Sequence, residues 1–407
     1  MSQVKRVVIV AEAANILGGA EKVAMDTAIC LADAGYVVTY FAASGPVDDR
    51  LKRDRIRVEL VRERYRVDEL SEKERVLRAT SDREAAAKFK NLLAQFDPRD
   101  TVVHLHSWRF ELTSSILEPL FASGLPTLYT AHDYGLACPY VGFYDYRREA
   151  ICPQRGGSFG CLCTNCNQTS YKHKLWVYYK NSVIPNRLGQ RSRFGHYIFV
   201  SEFSKRILAP YLAPSAKVHV VQNPIEAVDE GPRPLLVDGP FVFVGRITKE
   251  KDPETFARAA KKLGVRAVFV GDGNIVEQVK AANPEAEFLG WRKPPEVREL
   301  MRSARALVFP SAWYEGQPLT TQEALSIGLP SIISDACAAQ DVIEDGRTGL
   351  LFRCGDVDHL AEQMRRLQDD PFNTQVGQAA YDSFWQNPPT AERYLATLTD
   401  LYEQAVR

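Results

Sequence analysis

The 407-residue sequence has no apolar stretch approaching the roughly 18 residues that a membrane span requires. It shows no signal-peptide pattern either. The opening MSQVKRVVIVAEAAN has only a short apolar run before Glu12 and reads as a first buried strand, so a cytoplasmic location is the expectation. In that compartment disulfides are disfavoured, and the eight cysteines read as thiols or metal ligands. A dinucleotide fingerprint is missing. Gly271-Asp272-Gly273 follows an apolar run, but Val276 stands where GxGxxG needs its last glycine, and no acid is placed for an NAD ribose. Asp356-Val-Asp358 spells the DxD of metal-dependent transferases, yet it lies where a helix begins and reads as a cap. Net charge is also absent, with 51 Lys and Arg against 51 Asp and Glu, so any attraction to an anionic partner has to be local. The balance is uneven: residues 1–210 hold 30 basic and 23 acidic side chains, and the remainder 21 and 28.

What the chain does have is a regular alternation of short apolar runs with longer amphipathic stretches. The runs in the first half are VVIVA (7–11), VVTYFAA (37–43), IRVEL (56–60), TVVHLH (101–106), PTLYTAH (126–132), YIFVS (197–201) and VHVVQN (218–223). Those in the second half are FVFVGR (241–246), RAVFVGD (266–272), AEFLG (286–290), RALVFP (305–310), PSIIS (330–334) and TGLLF (348–352). Continuous Val, Ile and Phe with helices between them predict parallel strands covered on both faces. The length suits two domains. The reading is α/β, two doubly wound Rossmann-like domains facing a central cleft, joined by the Pro-, Gly- and Asp-rich stretch 223–240. Ligands of such sheets bind beyond the carboxyl ends of the strands, so the loops there are where chemistry is sought.

One such loop is WYEGQPLTTQEALSIGLP, residues 313–330. ALVFP ends at Pro310, a loop carries Glu315, and a helix begins near Pro318 with Thr320 and Thr321 in its first turn. A helix N-terminus welcomes phosphate. Glu315 suits sugar hydroxyls, and Glu323, about a turn inside the helix, suits a ribose diol. Phosphate with two polyols describes a nucleotide sugar. A second loop, VFVGRITKEKDPETF, supplies Arg246 and, five residues later, Lys251, a fork and a point charge able to neutralise a diphosphate without a metal.

GRITKEKDPETF, VFVGDG, FLGW, SAWYEGQPLTTQEALSIGLP and EDGRTGLLF, in that order, resemble the C-terminal domain of family-four retaining glycosyltransferases of the GT-B fold. In the first half NILGGAEKVAMDTA (15–28) and VSEFSKR (200–206) resemble the same family, so the likeness runs through nearly the whole chain. The resemblance implies a first domain over 1–222 that binds the acceptor and a second over 223–385 that binds the nucleotide sugar. It also implies a C-terminal helix over 386–407 crossing back to the first. Glu315 would hold the donor sugar and Glu323 the ribose. Arg246 and Lys251 would stabilise the departing diphosphate. Gly18 and Gly19 would let backbone approach the donor phosphate, and His132, in TAHDYG, would contact the sugar near its reacting carbon. Gly316, Leu319 and Thr320 would complete the nucleotide-sugar site. Where the family often has a second glycine in this loop the chain has Pro318, which removes one N–H donor. The implied reaction moves a sugar, with retention, from a UDP- or GDP-sugar to a hydroxyl of a glycan, a lipid-linked or a small-molecule acceptor, with no cofactor required. A sugar phosphorylase, an epimerase and a non-catalytic sugar-binding subunit are the alternatives.

Five of the eight cysteines fall within 138–166, in a stretch poor in apolar runs that reads as an inserted loop, 138–170, with no core of its own. Cys163-x-x-Cys166 has knuckle spacing, and Cys138 and Cys152 supply a second pair, so a structural zinc on these four is the expectation. An iron–sulfur cluster and free thiols remain alternatives. Residues 170–194 follow, with Lys and Arg, several aromatics and no acid. They suit a phosphate-bearing lipid acceptor or peripheral contact with the inner membrane, and equally a solvated helix face. No nucleic-acid motif accompanies them, so nucleic acid is not expected.

Overall fold

The apolar runs pair into two separate parallel sheets. The structure, a computed structural model, describes residues 3–63, 71–234 and 236–407. In the first half β1 (Arg6–Ala13), β2 (Val37–Ser44), β3 (Ile56–Arg62), β4 (Thr101–Leu105) and β5 (Thr127–Ala131) come first. A small hairpin, β6 (Tyr144–Asp145) with β7 (Ala150–Ile151), stands apart, before β8 (His196–Phe199) and β9 (Lys217–Val220). The sheet order is β3-β2-β1-β4-β5-β8-β9, parallel throughout. The second half contributes β10 (Phe241–Val244), β11 (Ala267–Val270), β12 (Glu287–Gly290), β13 (Ala306–Phe309), β14 (Ser331–Ser334) and β15 (Leu350–Phe352). Their order is β12-β11-β10-β13-β14-β15. Helices cover both faces of the central strands, which is why these are buried along their length: Val7 to Ala13 of β1 are all buried, Glu12 included. The architecture is GT-B.

Both sheets reverse their winding at a central strand. β1 lies between β2 and β4, and β10 between β11 and β13. Crevices open at the carboxyl ends of such switch points. The chain leaves β1 into Gly18–Gly19, β4 into His106, β10 into Arg246 and β13 into Ser311–Glu315, so topology alone delivers these residues to one edge of each sheet.

Segment 223–240, in which Leu235 lies outside the described residues, has no regular element. It lies against the second domain: Arg233 N donates to Ile327 O at 2.8 Å, and its Nη2 to Arg305 O at 3.0 Å. The helix Ala391–Val406 packs instead on the first sheet. Tyr394, Leu398, Leu401 and Tyr402 join Val7, Ile9 and Leu128 in one core. Tyr402 Oη lies 2.7 Å from His104 Nδ1, and Tyr394 Oη 2.8 Å from Thr27 Oγ1.

Residues 138–170 depart from the expectation of a loop without a core. Cys138 and Phe143 belong to the first-domain core, and Tyr144, Asp145, Cys161 and Cys166 are buried too. Lys174 is fully buried and donates to the carbonyls of Cys161 and Leu162. Arg191 Nε donates to Leu136 O at 2.7 Å. Part of the basic segment is therefore internal structure, not a solvated or membrane-facing surface. The zinc expectation is not supported. Among the described residues no group of three or more His, Cys, Asp or Glu side chains is placed to hold a metal ion. Of the four expected ligands Cys138, Cys152, Cys163 and Cys166, Cys163 is exposed while Cys161 is buried. Both lie on the helix Phe159–Cys163, where residues two apart point about 200° apart, so only one of them turns inward. Burial pushes the Cys138 thiol up to about 12 and that of Cys166 to about 11.

If the terminal helix is structural to the first domain, truncating its fully buried Leu398 should act there. Leu398→Ala should cost about 2–5 kcal/mol. Urea unfolding followed by a first-domain probe checks this; a midpoint equal to wild type would mean the helix is dispensable.

Candidate active site

Glu315 is the centre of the second-domain edge. The chain leaves β13 at Phe309 and turns back on itself, so that Ser311, Trp313 and Glu315 converge. Glu315 Oε1 accepts from Ser311 Oγ at 2.7 Å and Trp313 Nε1 at 2.6 Å, and pairs with Lys251 Nζ. Both charged side chains are largely buried, at 12 and 15% exposure. Burial pushes the Glu315 carboxyl up, but the charge and hydrogen bond of Lys251, with those of Ser311 and Trp313, outweigh it and hold the pKa below its ordinary value. Lys251 sits at the end of a short turn after β10, 5.6 Å from the centre of the Phe309 ring and 5.7 Å from that of Trp313. Arg246, nearer the strand, is mostly exposed, with Nη2 3.7 Å from Glu250 Oε1.

A cavity of about 540 Å³ lies between the domains here. Arg246, Lys251 and Glu315 line it, with Gly18 and Gly19 from the first domain and Leu319 and Thr320 from the second. Two helices begin at its wall, Gly19–Asp33 and Leu319–Ser326, and neither has a side-chain cap. The second starts one residue later than the sequence suggests, with Pro318 as its extended N-cap. Two uncapped N-termini and Arg246 face one cavity, with Lys251 paired to Glu315 at its wall, an arrangement chemically suited to an anion. Asp356, by contrast, accepts from His359 N at 2.9 Å and caps its helix, so this DxD is structural.

Three expected site residues do not line this cavity. Glu323 lies in the following helix turn, outside the cavity's lining; desolvation raises its carboxyl pKa, with Lys22 and Arg298 acting against it and Glu226 adding to it. Gly316 lies in the contact between domains. Its carbonyl accepts from Ser201 Oγ at 2.7 Å and Ser204 Oγ at 3.1 Å, and a Cβ there would come within 2.9 Å of His132 O. His132 follows β5, and its Nε2 is 3.0 Å from His106 Nδ1. His106 was not singled out in the sequence, nor were Ser311 and Trp313; HLHSW placed His106 at a strand end, but its partner is 26 residues away.

The histidine pair has a determinable proton arrangement. Burial depresses both rings, His132 to about 4, so both are neutral near pH 7 and one must donate to the other. His106 Nε2 is buried with no partner. If His132 donated, His106 would carry its proton on that buried nitrogen as an orphaned N–H. If His106 donates from Nδ1, only a bare ring nitrogen is left there, the less costly outcome. His132 Nε2 then accepts, and His132 carries its proton on Nδ1. Ring-nitrogen NMR should accordingly show His132 as the Nδ1–H tautomer, neutral down to about pH 5, with the single tautomer lost in His106→Leu. An Nε2–H tautomer in the wild type would refute this.

Comparisons with known proteins identify the family and the fold. A family model described as Glycosyl transferases group 1 matches residues 239–370, and one described as Glycosyltransferase Family 4 matches residues 17–228. An Escherichia coli UDP-Gal:alpha-D-GlcNAc-diphosphoundecaprenol alpha-1,3-galactosyltransferase is 32% identical over 145 residues, 32% of this chain and 36% of that protein. A Mycobacterium tuberculosis GDP-mannose-dependent alpha-mannosyltransferase is 38% identical over 117 residues, 29% of this chain and 31% of that protein. The matched stretch thus spans about a third of the length of these relatives. Among solved structures, a sucrose-phosphate synthase from Thermosynechococcus elongatus aligns with TM-score 0.72 at 17% identity, covering 98% of both chains. Anabaena HepE in complex with UDP and glucose aligns with TM-score 0.69 at 16% identity, covering 98% of this chain and 100% of that one. With a single model matched over more than half its length, the chain belongs to Glycosyltransferase Family 4.

Proposed function

We propose that the protein is a retaining glycosyltransferase that moves a sugar from a nucleotide-sugar donor to a hydroxyl of a glycan or lipid-linked acceptor, without a metal. The observation that carries this is the convergence of Arg246, Lys251 and two uncapped helix N-termini on one interdomain cavity. These groups suit the diphosphate of a nucleotide sugar. They act most strongly on the departing diphosphate, whose charge grows toward the transition state. The cavity's one carboxylate among the described residues, Glu315, is paired with Lys251. Its Oε1 is occupied by protein donors, which leaves Oε2 for hydroxyls of the donor sugar. Glu323, about one turn into the helix that begins at the cavity, suits the ribose, and His132, with its proton on Nδ1, suits a sugar oxygen as a donor. Retention would follow if the acceptor hydroxyl enters on the face from which the diphosphate leaves, its proton passing to a phosphate oxygen.

The relatives are named for UDP-galactose and GDP-mannose, and one for a diphosphoundecaprenol-linked acceptor. These names support a UDP- or GDP-sugar donor and a lipid-linked acceptor here. No helix among the described residues is long and apolar enough to cross a membrane, so a lipid-linked acceptor would be met from the surface.

Screening UDP- and GDP-sugars by thermal shift should identify one donor class, since a bound ligand raises stability by mass action. With that donor, Arg246→Ala and Lys251→Ala should each lower kcat by about 2–4 kcal/mol of transition-state stabilisation. Activity should survive chelation, and proton NMR should show product of the donor's anomeric configuration. Unchanged turnover in both variants, strict dependence on added magnesium, or an inverted product would each refute the reading.

A further inference from the structure

Beside the cavity that holds Glu315 lies a second, of about 600 Å³. Arg246 and Trp313 line both. Trp313 is the partition: its Nε1 donates to Glu315 on one side, and its ring walls the second space on the other. Gly142 packs so closely on that ring that a Cβ would overlap it. The remaining walls come mainly from the first domain. Phe110 follows β4, Tyr140 and Tyr146 come from the Cys-bearing segment, and His173, Trp176 and Lys180 come from the helix Tyr171–Tyr178 and the turn after it. Residues 173, 176 and 180 recur at helical spacing and share one face. Tyr171, Leu175 and Tyr179 lie on the other face, at 39, 38 and 47% exposure.

Lys180 is the chemically conspicuous group. Its ammonium lies 5.0 Å from the centre of the Trp176 ring. Among the described residues no carboxylate forms an ion pair with it; the cavity's one carboxylate, Glu250, lies 3.7 Å from Arg246 Nη2. Desolvation depresses its pKa, with the charge of Glu12 acting against it. A half-buried cation compensated by one aromatic face is under-satisfied. An anionic ligand group would complete it. The flat rings around it suit the C–H face of a pyranose, and an aromatic-lined pocket with a few convergent polar groups is the usual form of a small-molecule site.

We propose that this second cavity is the acceptor subsite and that it takes a sugar carried on a phosphate. The pyranose lies against Trp176 and Tyr140, and the phosphate sits on Lys180. The reacting hydroxyl is directed past Trp313 toward Arg246. The proposal rests on the glycosyltransferase reading. In the transfer the bond from the anomeric carbon to the diphosphate oxygen breaks and a bond from the acceptor oxygen to that carbon forms. The hydroxyl proton leaves with the nucleoside diphosphate. A free sugar phosphate and the head of a diphosphate-linked lipid share the recognised chemistry. The exposed outer face of the same helix, Tyr171, Leu175 and Tyr179, is where a lipid chain would lie.

Calorimetry on the whole chain, saturated with UDP or GDP, tests this. The probes are a panel of hexose and N-acetylhexosamine 1-phosphates and their short-prenyl diphosphate counterparts. At least one probe should bind. Lys180→Gln and Trp176→Ala should weaken it more than tenfold, Lys180→Arg should restore it, and nucleotide affinity should stay within twofold in all three. Binding by both probe types assigns the site to the sugar phosphate itself. Binding by the prenyl forms alone, weakened by Leu175→Ser, assigns it to a lipid head group. Absence of binding by every probe while the nucleotide still binds would overturn the proposal, as would binding indifferent to Lys180 and Trp176. If neither UDP nor GDP binds the wild type, the glycosyltransferase reading itself fails.

Discussion

The site depends on how the first domain and the start of the linker grip three successive residues of one second-domain loop. Tyr134 Oη donates to the carbonyl of Glu315 at 2.8 Å. Ser201 and Ser204 donate to the carbonyl of Gly316. Gln317 Oε1 accepts from Asn223 N at 2.7 Å. The preceding Tyr314 ring lies among Tyr134, Phe143 and Phe203, with centroids 5.3 to 5.7 Å away. The loop bearing Glu315 is therefore shaped by one domain while its side chain works with cations of the other. Gly316 permits the close approach, since any side chain would press on the carbonyl of His132. A relative movement of the domains would alter this loop before it altered either sheet.

That arrangement explains how opposite charges persist in a largely buried place. A buried carboxylate is costly unless it is paired and hydrogen-bonded. Glu315 meets both conditions through Lys251, Ser311 and Trp313, all held by loops after neighbouring strands. Beyond Arg246, the site's remaining positive potential comes from backbone: two helices begin at the cavity without capping side chains. Such dipoles are fixed by the fold and need no reorganisation when charge develops on a ligand.

The fold was legible because its signal is the simplest a sequence carries. Runs such as VVIVA and FVFVG have no polar face, so they had to be strands covered on both sides, and both sheets contain them where they were read. The cavity was legible where function follows directly from a strand end: Arg246, Lys251, Glu315, Gly18, Gly19, Leu319 and Thr320 meet there. What escaped was partnership across distance. Nothing in HLHSW says that His106 will face His132, and nothing in SAWYEGQ says that Trp313 will bridge two cavities. The resemblance supplied a role for Gly316 at the donor but not its contact with Ser201 and Ser204.

The cysteine-bearing segment shows why composition misled there. Few aliphatic residues suggested that only a metal could order it. A core can also be built from polar groups whose hydrogen bonds close internally, provided that each is satisfied. Lys174 is the extreme case, a fully buried ammonium spending its donors on the carbonyls of Cys161 and Leu162, with the rings of Tyr171 and Tyr178 nearby. Asn181 Nδ2 donates to Pro139 O at 2.9 Å, and Asn167 Nδ2 to Tyr140 Oη at 2.6 Å. These bonds tie Pro139, beside the Trp313 partition, to the helical segment that carries Trp176 and Lys180, and Tyr140 to the loop that leads into it. The polar lattice thus fixes both walls of the second cavity at once, and a purely aliphatic filling of the same volume would leave their relative position less specified.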